Sequence, residues 1–287
     1  MPLEATDNWL DQAAMRQAFS KAAPRYEAAA TFQAAVGAEL VQQLEVIRRF
    51  QPRRILDLGC GPGNVGRLVA KMYPKAEVVM ADIAEGMVAQ ARSHKRWLAK
   101  QRFACADAQL LPFAGRSFDL VISNLALQWC PDLPLALKEI HRVLAGGGLL
   151  LATTMGERTL EELRTAAAQA DQTLGHNPAP HTSPFIDLHH FGDLVSVSGF
   201  RQPVADSDRY PRRFATLRDL MGELKAIGAH NADRRRRRGL NTRRWLEALE
   251  SHYPRRDEQG IVATFEVLSV LGWKEEASIG GIPVAGG

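Results

Sequence analysis

Short apolar runs and helix-spaced apolar positions alternate along the first half of the chain. Five runs are each long enough for one strand, at residues 55–58, 77–82, 102–107, 118–124 and 149–154. After the first run, residues 65–72 place apolar side chains on one face of a helix that stops before Pro74. Strands that alternate with helices in this way predict a parallel sheet with helices on its faces.

The segments that flank these runs are mainly helical. Residues 8–50 carry no strand signal, and residues 133–144 form an amphipathic helix that the glycines at 146–148 close with a turn. Beyond residue 154, the pattern predicts helices at 157–170 and 187–198, strands at 203–210 and 261–271, and two helices within 215–253.

These elements together predict an α/β fold with a Rossmann-like, doubly wound, mostly parallel seven-stranded sheet. We expect an N-terminal helical segment at residues 1–50 and one main domain at residues 51–287. A helical lid is expected at about residues 214–258, inserted between the last strands.

The first strand runs into a glycine-rich loop that carries an acid. Gly59, Gly61 and Gly63 allow a sharp turn and let a ligand lie against the backbone. Asp57 precedes the first glycine by two residues, and a carboxylate there favours a cationic ligand over a phosphate. S-adenosylmethionine, with a cationic amino group and sulfonium, fits this pattern. The spacing of the third glycine also differs from the G-x-G-x-x-G of NAD-binding proteins.

Three more polar residues follow the predicted strands. Asp82 lies 19 residues after Gly63, where the acid of a βαβ unit accepts hydrogen bonds from both hydroxyls of a ribose. Asp107 and Asn124 end the third and fourth strands, so all these side chains are expected at one edge of the sheet. An Asp that only caps a helix or turn is the alternative at positions 82 and 107.

Composition narrows the classes of protein. A chain of 287 residues with 46% apolar content can bury a full core. No apolar run approaches the ~20 residues of a membrane span, and no secretory signal is seen at the start. Three widely spaced cysteines match neither a zinc site nor a disulfide framework. We therefore expect a cytoplasmic protein without a metal.

The net charge of +4 conceals a local excess of positive charge. Five consecutive arginines stand in the last third of the chain, Arg234, Arg235, Arg236, Arg237 and Arg238. Such a run suggests either an acidic partner or a solvated loop. Nucleic-acid binding is not favoured, because no aromatic residues are interleaved with the arginines.

The glycine loop resembles a family motif. The segment Asp-Leu-Gly-Cys-Gly-Pro-Gly at residues 57–63 resembles motif I of class I S-adenosylmethionine-dependent methyltransferases. By this resemblance, Asp82 binds the ribose and Asp107 binds the adenine amino group. Ile83, Ala108 and Asn124 complete the implied cofactor site, and S-adenosylhomocysteine is the product.

Further segments resemble the malonyl-acyl-carrier-protein O-methyltransferases of biotin biosynthesis. They lie at residues 19–26, 123–129, 185–189 and 224–231. The resemblance implies methyl transfer to the free carboxylate of a malonyl thioester on acyl carrier protein. A carboxylate is already ionised at neutral pH, so the absence of an obvious general base agrees with this reaction.

Four residues are candidates for the substrate side of the site. Tyr26 either closes over the methyl donor or fills the core, and Trp129 either walls the pocket or fills the core. Gln128 belongs to the same Leu-Gln-Trp segment as Trp129. Arg158 stands where the family is expected to have a Gly-x-Asp-Thr-like turn; it either binds the malonyl carboxylate or simply starts a helix.

The resemblance also implies a partner. Acyl carrier protein is strongly acidic, so the arginine run at residues 234–238 gains a role as its docking surface, and we expect the methyltransferase to be a monomer. Two alternatives remain open. One is methylation of a free small acid such as trans-aconitate, and the other is a non-catalytic assembly factor with the same fold, suggested by the segments at Asp132 and Thr159.

Overall fold

A computed structural model describes residues 9–47, 50–95, 99–229, 231–237, 242–254, 256–257, 259–276, 278–279 and 282–283. The strands in chain order are β1 (Arg54–Leu58), β2 (Glu77–Asp82), β3 (Gln101–Cys105), β4 (Phe118–Asn124), β5 (Leu144–Met155), β6 (Phe200–Phe214), β7 (Arg256–Asp257), β8 (Gly260–Lys274), β9 (Ser278–Ile279) and β10 (Ile282–Pro283).

The helices lie between and before these strands. They are α1 (Gln12–Ala29), α2 (Thr31–Val46), α3 (Asn64–Met72), α4 (Glu85–Ser93), α5 (Leu133–Val143), α6 (Glu161–Thr173), α7 (Leu188–Val197), α8 (Leu217–Ala226) and α9 (Arg243–Ser251). A 3-10 turn covers Leu127–Trp129. None of these helices is both long and apolar enough to span a lipid bilayer.

The main sheet confirms the predicted fold class. Its strand order is β3-β2-β1-β4-β5-β8-β6, and the short β7 pairs with β8 beside this path. The pairs from β3 to β5 are parallel, whereas β8 is antiparallel to both β5 and β6. The order reverses between β1 and β4, which is where α/β sheets of this kind bind ligands.

Alternating side chains of the central strands build two apolar layers. On one face, Ile55 and its neighbours pack against α2, α3 and α4. On the other face, Leu56 and Leu58 pack against α5 and α7. Because both faces are covered, the parallel strands are apolar on both sides, and this is why they were visible in the sequence as continuous apolar runs.

The predicted boundaries of three strands were wrong. The glycines at 146–148 do not close a turn before β5 but lie within it, where the pairing with β4 shifts between Phe118 and Leu120 and Gly147 adopts φ +71°. Residues 145–148 of β5 lie opposite the single residue Asp119 of β4, so three extra residues bulge there, and glycine tolerates the positive φ. The last strands β6 and β8 are also longer than predicted, because they pair along nearly their whole length. The apolar pattern did not show this, since β6 is largely polar and exposed.

Two helical layers lie over the carboxyl ends of the strands. Between β6 and β8, α8 and α9 pack on α6 through a shared apolar cluster that contains Leu217, Trp245 and Leu249. At the other side, α1 packs on α4, where the backbone of Ser20 lies against Gly86. A β-bridge between Leu10 and Asp233 joins the start of α1 to the segment between α8 and α9.

Candidate active site

The glycine loop adopts a backbone that few side chains could share. Gly59, Gly61 and Gly63 have φ values of +69°, +52° and +87°. A Cβ on Gly59 would collide with the side chain of Ala126, so the loop packs tightly against the segment after β4. At Gly61 the space is open, and the nearest atom to a Cβ there would be in the ring of Tyr26 at 4.0 Å. The loop therefore presents bare backbone to a ligand.

Asp82 ties this loop to the end of β2. One carboxylate oxygen accepts a hydrogen bond from the amide of Gly61 at 2.9 Å, and the other accepts one from the amide of Ala84 at 2.8 Å. Burial raises the pKa of Asp82, and these two amides oppose that rise. Each oxygen keeps a lone pair, so the side chain can still accept hydrogen bonds from the two hydroxyls of a ribose.

A cavity of about 100 Å³ lies beside Asp82 at the carboxyl edge of the sheet. The structure brings together seven of the predicted cofactor residues around it, namely Gly59, Gly61, Asp82, Ile83, Asp107, Ala108 and Asn124. Helix α1 roofs this cavity with Gln12, Met15, Phe19 and Tyr26. The bare loop, the ribose acceptor and the apolar walls fit S-adenosylmethionine. Of the remaining predicted residues, Gly63 caps α3 and Asp57 lies below the loop, so neither lines the cavity.

Asp107 and Asn124, two polar residues that line this cavity, form side-chain hydrogen bonds within the chain. Gln12 donates from Nε2 to Oδ2 of Asp107 at 2.9 Å, so the predicted adenine acceptor is held by the roof helix. Asn124 donates to the carbonyl of Gln33 and accepts from Thr153, both at 2.9 Å. No local motif points to Gln12, because its role depends on where α1 docks against the sheet.

Asp57 is a buried acid without a well-formed hydrogen bond among the described residues. It is 1% exposed and lies against Gly66 at the start of α3. Burial, and to a smaller extent the charge of Asp82, raise the pKa of Asp57 to about 7. The backbone amide of Gly66 and the charge of Arg67 act in the opposite direction. A cationic group bound near the loop would favour the charged form of Asp57.

Replacement of Asp57 by asparagine should change the pH dependence of stability. The pKa of Asp57 is higher in the folded chain than the ordinary 3.8, so the folded chain binds this proton more tightly than the unfolded chain. The free energy of unfolding therefore falls as pH rises from about 4 through 7. We expect Asp57→Asn to raise the free energy of unfolding at pH 8 by on the order of 2 kcal/mol, with a smaller gain at pH 5. Urea denaturation at both pH values measures this.

Asp193→Asn, at an exposed position of α7, is the matched control and should change stability little at either pH. An equal loss of stability for Asp57→Asn at both pH values would show that the charged carboxylate stabilises the fold.

A second, larger cavity of about 940 Å³ adjoins the first. Four residues line both cavities, Phe19, Tyr26, Leu125 and Trp129. Phe19 and Trp129 meet edge to face with ring centroids 5.2 Å apart. Burial, and next the charge of Asp82, raise the pKa of Tyr26, so its phenol stays neutral and can donate a hydrogen bond. The two cavities therefore meet at an aromatic junction.

The other predicted catalytic residues have different positions. Gln128 lines the larger cavity, and its amide is fixed by a 2.7 Å bond to the carbonyl of Leu125 and a 3.2 Å bond from Thr154. Arg158 lines neither cavity. It is exposed in the turn before α6, and its backbone amide donates to Glu266 at 2.9 Å. Arg158 therefore lies apart from the other three candidates, in a turn, and its role in binding the malonyl carboxylate stays a prediction.

Sequence reasoning missed a polar residue of the larger cavity. Gln33 of α2 lines this cavity, and its Oε1 is buried without a hydrogen-bond partner among the described residues. A buried polar atom without a partner is costly, which suggests that a ligand satisfies this amide. An isolated glutamine in an alanine-rich helix gives no signal in the sequence.

A buried acid organises one wall of the larger cavity. Asp171 is 3% exposed and accepts hydrogen bonds from Trp245 at 2.7 Å, His181 at 2.8 Å and Arg237 at 2.9 Å. Burial alone would raise its pKa, but the hydrogen bonds from His181 and Trp245 and the nearby positive charges hold the pKa below its ordinary value. His181 stacks on Trp245 and faces the cavity.

The arginine run is partly engaged within the chain. Arg237 pairs with Asp171, and Arg235 pairs with the buried Asp233 at 2.7 Å. Arg236 donates to the carbonyl of Asp233, and Arg234 is exposed. Arg238 lies outside the described residues, and the docking role of the run stays a prediction. Where the chain is described, no group of three or more His, Cys, Asp or Glu side chains could hold a metal ion.

Comparisons with known proteins agree on one kind of enzyme. Residues 56–152 match a family model described as a methyltransferase domain. The malonyl-[acyl-carrier protein] O-methyltransferase of Gallionella capsiferriformans is 41% identical over 272 residues, which cover 92% of this chain and 91% of that protein. The biotin biosynthesis bifunctional protein BioHC of Saccharophagus degradans is 35% identical over 90% of this chain and 46% of its own length.

A solved structure shows the same fold at lower similarity. The YcgJ protein of Bacillus subtilis superposes with a TM-score of 0.59 at 17% identity, over 83% of this chain and 98% of that protein.

Proposed function

The chain belongs to the malonyl-[acyl-carrier protein] O-methyltransferase family, and from this premise we propose what it methylates. Its substrate is the free carboxylate of a malonyl thioester carried on acyl carrier protein. The product is the corresponding methyl ester, which serves biotin biosynthesis, in line with the name of the bifunctional relative. The reaction takes place in the cytoplasm, without a metal.

The observation that carries this proposal is the meeting of the two cavities at Phe19, Tyr26, Leu125 and Trp129. The lining of the smaller cavity suits the chemistry of a methyl donor, and the larger one, of about 940 Å³, has the volume for an acyl thioester and its arm. A substrate carboxylate and a donor that occupy the two cavities would face each other at this junction. Such alignment is the main requirement for methyl transfer to an oxygen that is already ionised.

When bound, S-adenosylmethionine would supply a methyl group on a cationic sulfur to a carboxylate oxygen and would leave as the neutral thioether. Asp82, the backbone at Gly61 and Asp107, which all line the smaller cavity, would hold the donor. Phe19 and Trp129 exclude water from the junction, which strengthens charge interactions there.

Tyr26 and two glutamines would orient the substrate. The neutral phenol of Tyr26 can donate to a carboxylate oxygen, and Oε1 of Gln33, which has no partner among the described residues, can accept a hydrogen bond from an N–H of the substrate arm. Gln128 is held rigidly by its own hydrogen bonds, so it shapes the wall beside them. None of these groups needs to remove a proton, because malonyl carboxylates are ionised at neutral pH.

A methyl-transfer assay tests this proposal. Purified protein is incubated with methyl-labelled S-adenosylmethionine and malonyl-acyl carrier protein, and label in a base-labile ester is measured. We expect label on the malonyl-carrier protein and none on acetyl-carrier protein, which has the same arm but no free carboxylate. Free malonate and trans-aconitate are expected to react at least about tenfold less efficiently, because they lack the arm that fills the larger cavity.

The alternatives give distinct results in the same assay. Label on trans-aconitate with none on any malonyl thioester would favour a free-acid methyltransferase. The absence of label on every acid, together with no cofactor binding by calorimetry, would favour a non-catalytic protein.

A further inference from the structure

The exposed part of the larger cavity's wall lies mainly on one helix. Most of its lining residues are buried or half-buried, and the exposed ones are Thr216, Arg218, Met221, Gly222, Lys225 and Glu250. Five of them belong to α8 or its N-cap, and Glu250 lies near the end of α9. A lining residue that is also exposed marks where a cavity reaches solvent. The mouth of the cavity therefore lies between α8 and α9.

The α8 residues at the mouth form one stripe. Arg218, Met221, Gly222 and Lys225 are spaced by three, four and seven residues, which places them on one face of the helix. The adjacent face carries Leu217, which is buried in the cluster with α6 and α9. Met221 is 37% exposed, and a Cβ on Gly222 would meet no atom within 4 Å. The packing of Leu217 thus fixes the orientation of α8, and the face that carries the stripe is exposed to solvent.

The charge of this stripe is uncompensated. Within the described part of the chain, neither Arg218 nor Lys225 forms an ion pair. The acids of the same helix are engaged elsewhere, because Asp219 completes the cap at the start of α8 and Glu223 pairs with Arg212. Two free cations therefore flank one exposed apolar side chain at the mouth of the cavity.

We propose that this stripe, the α8 mouth surface (Arg218, Met221, Gly222 and Lys225), is the docking surface for the acidic carrier protein. The proposal rests on the proposed function. A protein cannot enter a cavity of about 940 Å³, so only the thioester arm goes in and the carrier must contact the rim. Cations around an apolar side chain complement an acidic surface with an apolar centre, and such rim charges mainly raise the rate of encounter.

The arginine run has a different role in this arrangement. The ion pairs of Arg235 and Arg237 join it to Asp233 and to α6, and the amide of Arg234 donates to the carbonyl of Trp9 at 2.7 Å. These contacts connect the cavity wall to the chain that leads into α1. The run therefore braces the wall, whereas the α8 mouth surface receives the partner.

Charge reversal at the mouth tests the proposal. In the variant Arg218→Glu/Lys225→Glu, kcat/KM for malonyl-carrier protein should fall by about tenfold or more at low ionic strength, mostly through KM. The value for malonyl-pantetheine, which has the thioester and most of the arm but no carrier, should fall by less than about threefold. The difference in kcat/KM between wild type and variant on malonyl-carrier protein should shrink at higher salt, because salt screens the attraction between the wild-type cations and the acidic carrier.

Two matched variants carry the same change in charge. Lys71→Glu/Lys138→Glu alters exposed lysines of α3 and α5, away from the mouth, and should leave both substrates within about twofold of wild type. Arg234→Glu/Arg236→Glu alters the two arginines among residues 234–237 that form no side-chain ion pair. Arg218→Ala/Lys225→Ala removes the charges without introducing acids, in case the reversed pair impairs folding.

A loss confined to the carrier substrate and to the two α8 variants supports the proposal. An equal loss on both substrates, a loss as large in the Lys71/Lys138 control, or a loss only in the Arg234/Arg236 variant would overturn it. If the wild type methylates no malonyl thioester at all, the proposed function fails and the docking surface fails with it. An active wild type with unaffected α8 variants would remove the docking surface alone.

Discussion

Replacement of Asp82 by alanine is expected to weaken S-adenosylmethionine binding by about 100-fold or more. The carboxylate lies at the end of β2 and already accepts one amide hydrogen bond on each oxygen. Two further hydrogen bonds from a ribose would be charge-assisted and worth about 1.5–3 kcal/mol each. Their loss alone therefore accounts for a factor of 100 or more. The bond to Gly61 is lost as well, so the glycine loop would also become less ordered.

Isothermal titration calorimetry with S-adenosylmethionine measures the effect, and Asp82→Asn separates its two sources. The amide keeps the size of the side chain and one acceptor oxygen, so it should retain one of the loop bonds and lose about tenfold in affinity. Asp208→Ala, on the exposed β6, is the control and should bind like the wild type. Affinity within threefold of wild type for Asp82→Ala would mean that this acid does not hold the ribose.

The cofactor side of the site was predictable because its residues follow local rules. Asp82 is the last residue of β2 and Asp107 lies two residues after β3, and parallel strands bring their carboxyl ends to one edge whatever the rest of the chain does. The glycine loop is likewise a local feature, since positive φ at Gly59, Gly61 and Gly63 constrains the residue type itself. A strand pattern and three glycines were therefore enough to locate one cavity.

The substrate side depends on contacts between distant segments, which no short pattern encodes. Gln33 reaches the larger cavity because α2 packs beside β4, and His181 reaches it because a loop is pinned to Asp171 of α6. Arg158 shows the opposite case. Its place in the sequence suggested a substrate-binding residue, but it lies outside both cavities in a turn whose backbone is bound by Glu266.

Helix α1 connects the two sides. Gln12 bonds to Asp107 over the smaller cavity, while Phe19 and Tyr26 border both. The chain entering α1 is joined to the segment beyond α8 by the bridge between Leu10 and Asp233. Movement of α1 away from the donor site would therefore disturb the wall of the substrate cavity, so the two binding events should be coupled.

Loss of the Asp171 carboxylate is expected to be the most destabilising single change in the substrate wall. Asp171→Ala would leave the indole N–H of Trp245, the ring of His181 and the guanidinium of Arg237 without their shared acceptor. Breaking a buried charged pair from one side typically costs about 3–5 kcal/mol. We expect a loss of that size in the free energy of unfolding, measured by urea denaturation at pH 7.

A comparison of two substitutions at Asp171 separates the effect of its charge on stability from the effect of its hydrogen bonds. Asp171→Asn keeps an acceptor for Trp245 but loses the charge that pairs with Arg237, so it should cost less than Asp171→Ala. Asp193→Ala, at an exposed position of α7, should cost less than about 0.5 kcal/mol. Because Asp171 lies outside the donor cavity and acts on it only through the coupling to α1, the alanine variant at low temperature should lose more of its turnover than of its cofactor affinity. A cost below about 1 kcal/mol would mean that water replaces the carboxylate at all three donors, and the wall would then not depend on this acid.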